Sequence, residues 1–317
     1  MSGLHHTTER CLNLKNSRAL WYVSRFVILT LLYIIFFVTG SLAVDSLIPD
    51  LPSEPGMVSP ELGLLIMGAL NAMLIIALIE SSRYRGLKLS FGLAFAYYGA
   101  VTFIMQIETW YFLTSVTVSE ELLPRLFIMG LPVPLFVIPL ATLLLGKAKA
   151  DHNLFTVLEP VKPLKEWVYK PVLIAVAYIL LYWLAGYFIA WQNPELRAFY
   201  GSPGDALPFW QHTISTLRNE PGLFPFQALR GLLWALFALP VIYGSKWSRI
   251  STALLVGFFF SIPQNIGHIL ANPLMPLAGI RFSHMIETAL STFIFGVIVG
   301  YLLYRKPVQP QPENIDG

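Results

Sequence analysis

Eight separate stretches of this chain are each long and apolar enough to cross a lipid bilayer, and nothing else in the sequence limits the fold as much. A bilayer core needs about 20 apolar residues as helix. The stretches run over Phe26–Val44, Leu62–Ile79, Leu89–Leu113, Leu126–Leu145, Val172–Trp191, Phe224–Tyr243, Ser251–Leu270 and Phe282–Tyr304. In lipid every backbone amide must be satisfied internally, and at this length only a helix does so. Composition agrees: 56% of residues are hydrophobic and 12% charged, where a soluble domain carries about 25% charged. The expected fold class is all-α, a polytopic membrane bundle of eight transmembrane helices. It forms a single membrane domain over 20–306, between a cytoplasmic tail at 1–19 and a disordered cytoplasmic tail at 307–317.

Charge sets the orientation. With the N-terminus in the cytoplasm, 16 of the 21 Lys and Arg residues fall in inside segments. The exceptions are Arg125, Arg197, Arg218, Arg230 and Arg281. The outer connections carry Asp45, Asp50, Glu54, Glu120 and Glu121 instead. The alternation obeys the positive-inside rule and places both termini in the cytoplasm. The lipid bilayer is therefore the one certain partner. No basic run interleaved with aromatics exists, so nucleic acid is not expected to bind. The single cysteine, Cys11, excludes an internal disulfide. The first apolar stretch lacks a small-residue cleavage site and reads as a retained span. No glycosylation sequon occurs, which fits a bacterial inner membrane. Oligomeric state is left open.

The long connection between the fifth and sixth spans contains "DALPFWQHTISTLRN", with Leu207, Trp210, Ile214 and Leu217 at helical spacing. Two readings follow: an amphipathic helix on the outer leaflet, or a lid over an outer site. The connection between spans four and five is basic and broken by prolines, with room for one short surface helix. A weak parallel repeat of four plus four spans, over 20–146 and 171–306, is suggested by a Gln seven residues after a Gly in spans three and seven (Gly99 to Gln106, Gly257 to Gln264). Gly296 and Gly300 form a small-residue packing face, expected to pack span eight within the bundle.

Ionisable groups inside a bilayer are rare, face the protein interior and mark functional sites by default. Glu80 lies one turn before Arg83 at an inner edge, where a snorkelling pair accounts for it. Glu108, Arg230, His268, His284 and Glu287 lie deeper. At 1.5 Å per residue, all five fall roughly 5–10 Å below the outer surface. In span seven Ser261, Gln264, Asn265 and His268 share one helical face; in span eight His284, Glu287, Thr288 and Ser291 do. The two stripes, at one depth on helices joined by a short loop, are expected to face each other. Gln106 joins the cluster from span three, and Glu108 has Arg125 or Arg230 as its partner. Pro263 stands within the span-seven stripe, and Pro132, Pro134, Pro139 and Pro240 stand in spans four and six. Each removes a backbone donor and is free to kink its helix.

Three functions remain open on these residues. The first is binding or passage of a small polar or lipid-like ligand by Glu108, Gln106, Arg230, Gln264, Asn265, His268, His284 and Glu287. The inner halves of spans six to eight are almost wholly apolar, which argues against a full permeation path. The second is a membrane-embedded hydrolase or transferase with Glu287, His284 and His268 as its catalytic group, as general base and orienting partners or as ligands of one metal. No H-E-x-x-H, no G-x-S-x-G and no cysteine nucleophile supports it, and no motif indicates a particular cofactor. The third is a scaffold or sensor in which polar side chains only hold helices together, at about 0.6 kcal/mol per bond.

Overall fold

The computed structural model describes residues 2–47, 52–113, 116–149 and 164–306. Among them the chain is helical throughout and forms no strand. Eight helices are long and apolar enough to cross a membrane: Arg18–Ser41, Pro60–Ser81, Gly86–Leu113, Leu122–Leu144, Val168–Gln192, Leu223–Gly244, Arg249–Ile269 and Ala278–Leu303, taken below as spans one to eight. This is an integral, multi-pass membrane protein. The first helix is continuous from Ser2, so helix extends back through much of the segment expected as a tail. The C-terminal tail at 307–317, and most of the connection between spans four and five, lie outside the described residues.

Several helix boundaries follow from local chemistry. Ser59 caps span two, accepting from the Leu62 amide, with Pro60 in the first turn where its missing donor costs nothing. Ser248 caps span seven in the same way through Ser251. The prolines act as irregularities within continuous spans. Span four contains a π turn at Val133–Val137, beside Pro132 and Pro134. Past Pro263, span seven tightens into a 3₁₀ turn at Ile266–Ile269. Span three carries a second π turn at Tyr98–Phe103, which no proline explains.

Spans seven and eight make the most extensive helix pair. They approach so closely because Gly296 and Gly300 have no side chains. A Cβ on Gly296 would lie 2.6 Å from the Val256 carbonyl oxygen, and one on Gly300 would lie 2.7 Å from the Ala253 Cα. The small-residue face is thus consumed inside the bundle, as its spacing predicts.

The two ends of the bundle differ in charge and in the way they are tied. At one end, which bears Arg83, Arg85, Lys147, Lys246 and Arg249, Ser82 and Ser245 form an isolated bridge between the connections after spans two and six. Lys147 inserts its ammonium among the carbonyls of Ile79 (2.5 Å) and Ser82 (2.8 Å). A cation there completes the C-terminus of span two, where the last carbonyls lack intrahelical partners. The opposite, acidic end bears Glu54, Glu120, Glu121, Glu195, Asp205 and Glu220. It is stapled by Arg281, fully buried, which donates to the carbonyls of Glu54, Pro55, Met275 and Pro276 at 2.6–3.0 Å. A cation in the first turn of span eight opposes the helix dipole, and these four carbonyls offset that cost.

Candidate functional site

A cavity of about 730 Å³ opens near the acidic end, walled by spans three, five, six, seven and eight. The connection between spans five and six roofs it. That connection folds as a short helix, Pro194–Phe199, capped by Asn193, and a longer one, Phe209–Asn219. The longer helix turns Trp210, Ile214 and Leu217 outward, each well exposed. His212, Ser215, Thr216 and Asn219 turn to the cavity. The helix therefore presents an exposed apolar face outward and a polar face to the cavity.

Span five clamps the roof. Trp183 donates its indole N–H to Thr213 (2.9 Å), and Tyr187 donates its hydroxyl to the Leu207 carbonyl (2.7 Å). His212 stacks on Trp183, ring centroids 5.1 Å apart and 5° from parallel, with Tyr187 and Trp191 at 5.4 and 5.3 Å. Burial among these rings pushes the His212 pKa down. Arg197 ties the roof loop by donating to the carbonyls of Gly204 (3.0 Å) and Trp191 (2.6 Å).

Two charged groups line the cavity. In the first, Arg230 meets Glu108 across spans six and three in a forked pair, with nitrogen–oxygen distances of 2.8 and 2.5 Å. Gln227, one turn before Arg230, accepts from the same guanidinium at 2.9 Å. Arg125 is exposed and takes no part. The Arg230 side chain is 3% exposed and that of Glu108 23%, so the carboxylate fronts the cavity and the guanidinium lies behind it.

The second group is a relay. Glu287 Oε2 lies 3.0 Å from His284 Nδ1, and His284 Nε2 lies 3.2 Å from the Tyr200 hydroxyl in the roof. The carboxylate takes the Nδ1–H, leaving Nε2 as an acceptor for the phenol. Burial, then the charges of Glu108 and Glu287, push the Tyr200 pKa up, so Tyr200 stays a neutral donor. Thr288 holds the histidine's turn by donating to the His284 carbonyl (2.5 Å) and lies within bonding reach of Asn265. Ser261 donates to the Ala289 carbonyl at 2.8 Å. The stripes of spans seven and eight therefore do face each other.

Of the residues picked out by sequence, Glu108, Arg230, Gln264, His268, His284 and Glu287 all line the cavity. Gln106 and Asn265 do not. Asn265 stands behind the wall, bound to Thr288 and to the Ser261 carbonyl. Gln106 leaves its Oε1 buried without a partner, away from the cavity. His268 lies parallel to His284 at 6.4 Å between ring centroids, without joining the relay. Both ring nitrogens of His284 are engaged, and among the described residues no three His, Cys, Asp or Glu side chains gather as metal ligands do. The geometry of His268, His284 and Glu287 is thus that of a relay with a neighbour rather than a metal cradle.

Reading the sequence missed the span-five wall, Tyr178, Tyr182, Trp183, Tyr187 and Trp191, and also Tyr200 and His212 of the roof. A signal for the wall exists: Trp183, Tyr187 and Trp191 recur every four residues, one face of one helix. The same residues at the end of a span also satisfy an interfacial belt. Tyr200 lies in an irregular segment and carries no signal.

Below the relay the bundle closes. Trp234, Phe260 and Phe295 are almost completely buried, with ring centroids of Trp234–Phe260 at 4.3 Å, Tyr178–Phe295 at 4.8 Å and Phe260–Phe295 at 6.0 Å. Trp234 and Tyr178 line the cavity, and Phe260 and Phe295 pack behind them. Asp205 and Glu220, exposed residues of its lining, mark where it meets solvent. The chain matches no family model, no curated protein and no solved structure.

Proposed function

We propose that this protein binds a small polar or lipid-like ligand from the outer side of a bacterial inner membrane, in the cavity beneath the roof. The observation that carries the reading is one cavity of about 730 Å³ lined by both intramembrane charge groups. Helix-holding polar residues need no space between them, so a cavity of this size sets the site apart from a scaffold. The placement on the outer side rests on the charge partition of the connections. The aromatic floor supports access from that side alone and argues against passage.

The test is native mass spectrometry of the full chain extracted in mild detergent, set beside Gly186→Leu and Glu287→Gln. A Cβ at Gly186 would stand 3.6 Å from Glu287 Oε1, so a leucine fills the cavity without breaking the backbone. Wild type should retain a bound small molecule or lipid that both variants lose. Equal retention in all three would overturn the reading.

A second reading, a membrane-embedded hydrolase or transferase, is favoured by one observation, the chain Tyr200–His284–Glu287. Glu287 would orient His284 and stabilise its protonated form. His284 Nε2 would act as general base on a water or substrate hydroxyl that displaces the Tyr200 phenol. His268 has only a neighbouring place in that scheme. Equal losses of turnover in His284→Asn and Glu287→Gln, at unchanged ligand affinity, would mark chemistry rather than binding.

A further inference from the structure

The charged groups left over around the cavity are mostly of one sign. The cationic donors are largely spent. Both terminal nitrogens of Arg230 serve Glu108, and one also reaches Gln227. Arg197 is consumed by the roof carbonyls. His284 Nδ1 is taken by Glu287. Among the described residues no lysine lines the cavity. Arg230 Nε, left without a partner, suits a neutral oxygen, since Glu108 already balances the guanidinium.

Acceptors remain. Glu287 uses Oε2 for His284 and keeps Oε1 on the cavity beside Gly186. Gln264 turns its amide nitrogen to the Phe260 carbonyl and leaves Oε1 buried with no partner. Asp205 and Glu220 line the mouth without a cationic partner among the described residues. Among the described residues the lining then holds four carboxylates, Glu108, Asp205, Glu220 and Glu287, against two guanidiniums, both engaged. Tyr182, Trp183 and Tyr187 add aromatic rings to the same wall, and an aromatic face attracts a cation. An inorganic cation suits the site less well, since no three ligating side chains converge.

From the spare acceptors, the excess of carboxylate and the aromatic wall, we infer that the cavity takes an organic ammonium group, as a free amine or as the headgroup of an amphiphile, and rejects phosphates and carboxylates that carry no such group. The inference rests on the cavity being a ligand site. Its chemistry is attraction between a weakly hydrated cation and a low-dielectric pocket with surplus negative charge.

The test uses the full chain in nanodiscs of phosphatidylglycerol, titrated with tetramethylammonium, ethanolamine and glycerol phosphate while tryptophan emission is read. Trp183, Trp191 and Trp234 on the wall report occupancy. Saturable change with the ammonium probes and none with glycerol phosphate is expected for a free-amine site. For a headgroup site the soluble amines act weakly, and native mass spectrometry shows phosphatidylethanolamine retained over phosphatidylglycerol from a mixed disc. Glu287→Gln should weaken the ammonium response about tenfold. Asp205→Asn, at an exposed position that leaves the bundle intact, should weaken it a few-fold. Preference for glycerol phosphate or phosphatidylglycerol would overturn the charge assignment while leaving the ligand site in place. No retained lipid and no response to any probe would bring down the site itself.

Discussion

Arg230 shows what single residues contribute to this site. Its side chain is almost wholly buried within the bundle, and its charge survives there because Glu108 meets it through two bonds. Removing one partner of such a pair leaves an uncompensated charge and costs about 3–5 kcal/mol. The 23% exposure of Glu108 puts this pair at or below the low end. Glu108→Gln should therefore lower the thermal midpoint of the purified protein by several degrees. The double change Glu108→Leu with Arg230→Met should recover most of the loss, because two apolar groups leave nothing unpaired. A double variant as unstable as the single one would show that the pair is not what holds spans three and six. The sequence marked Glu108 and Arg230 because ionisable groups stand out within apolar stretches. It left two partners for Glu108, since helical periodicity gives the face of a residue but not the neighbour opposite. Gln106 shows the limit: its type and depth qualified it, and its side chain points elsewhere.

At the scale of the helix, the eight spans were legible because each satisfies lipid by itself, so an apolar length implies a helix without knowledge of its neighbours. The roof was legible only as an amphipathic repeat, since its polar face takes its meaning from the cavity beneath it. The aromatic stripe of span five was ambiguous for a related reason: Trp and Tyr serve a membrane interface and a pocket wall equally well. The clamp makes a prediction about pH. His212, in the roof, has its pKa lowered by burial. The closed roof therefore binds the proton less well than an open one. Its contribution to closure is complete above about pH 6.5 and is lost as pH falls below that value. Hydrogen exchange over residues 209–219, corrected for intrinsic rates, should show more opening at pH 5.5 than at pH 7.5. His212→Phe keeps a ring between Trp183 and Tyr187 and should flatten the difference. An unchanged difference in His212→Phe would assign it to some other group. Arg197→Ala should open the same segment at both pH values, because the carbonyls of Gly204 and Trp191 lose their donor.

For the molecule as a whole, the decisive relation is between an open acidic end and a closed basic one. The cavity reaches Ser291 and Thr292 and stops at Trp234, behind which Phe260 and Phe295 pack. Beyond them Gly296 and Gly300 bring spans seven and eight into backbone contact, leaving no path between them. At the basic end Lys147 and the bridge between Ser82 and Ser245 join the connections after spans two, four and six. Aromatic contacts of this kind each add about 0.5–1.5 kcal/mol beyond the area they bury, so opening the floor means breaking several together. A transporter must open both ends in turn, and the binding reading proposed above requires one of them to stay shut. The consequence can be measured with single cysteines in a Cys11→Ser background. A cysteine at Ser291, on the cavity wall, should react with a membrane-impermeant maleimide added outside intact cells. It should stay unreactive in inverted vesicles, where the proposed orientation exposes only the basic end. A cysteine at Val299, fully buried below the floor, should be protected from both sides. Adding a ligand that fills the cavity should slow labelling at Ser291 and leave Val299 unchanged. Reaction at Ser291 from both sides would mean that the floor opens, and passage would then replace binding as the reading of the cavity.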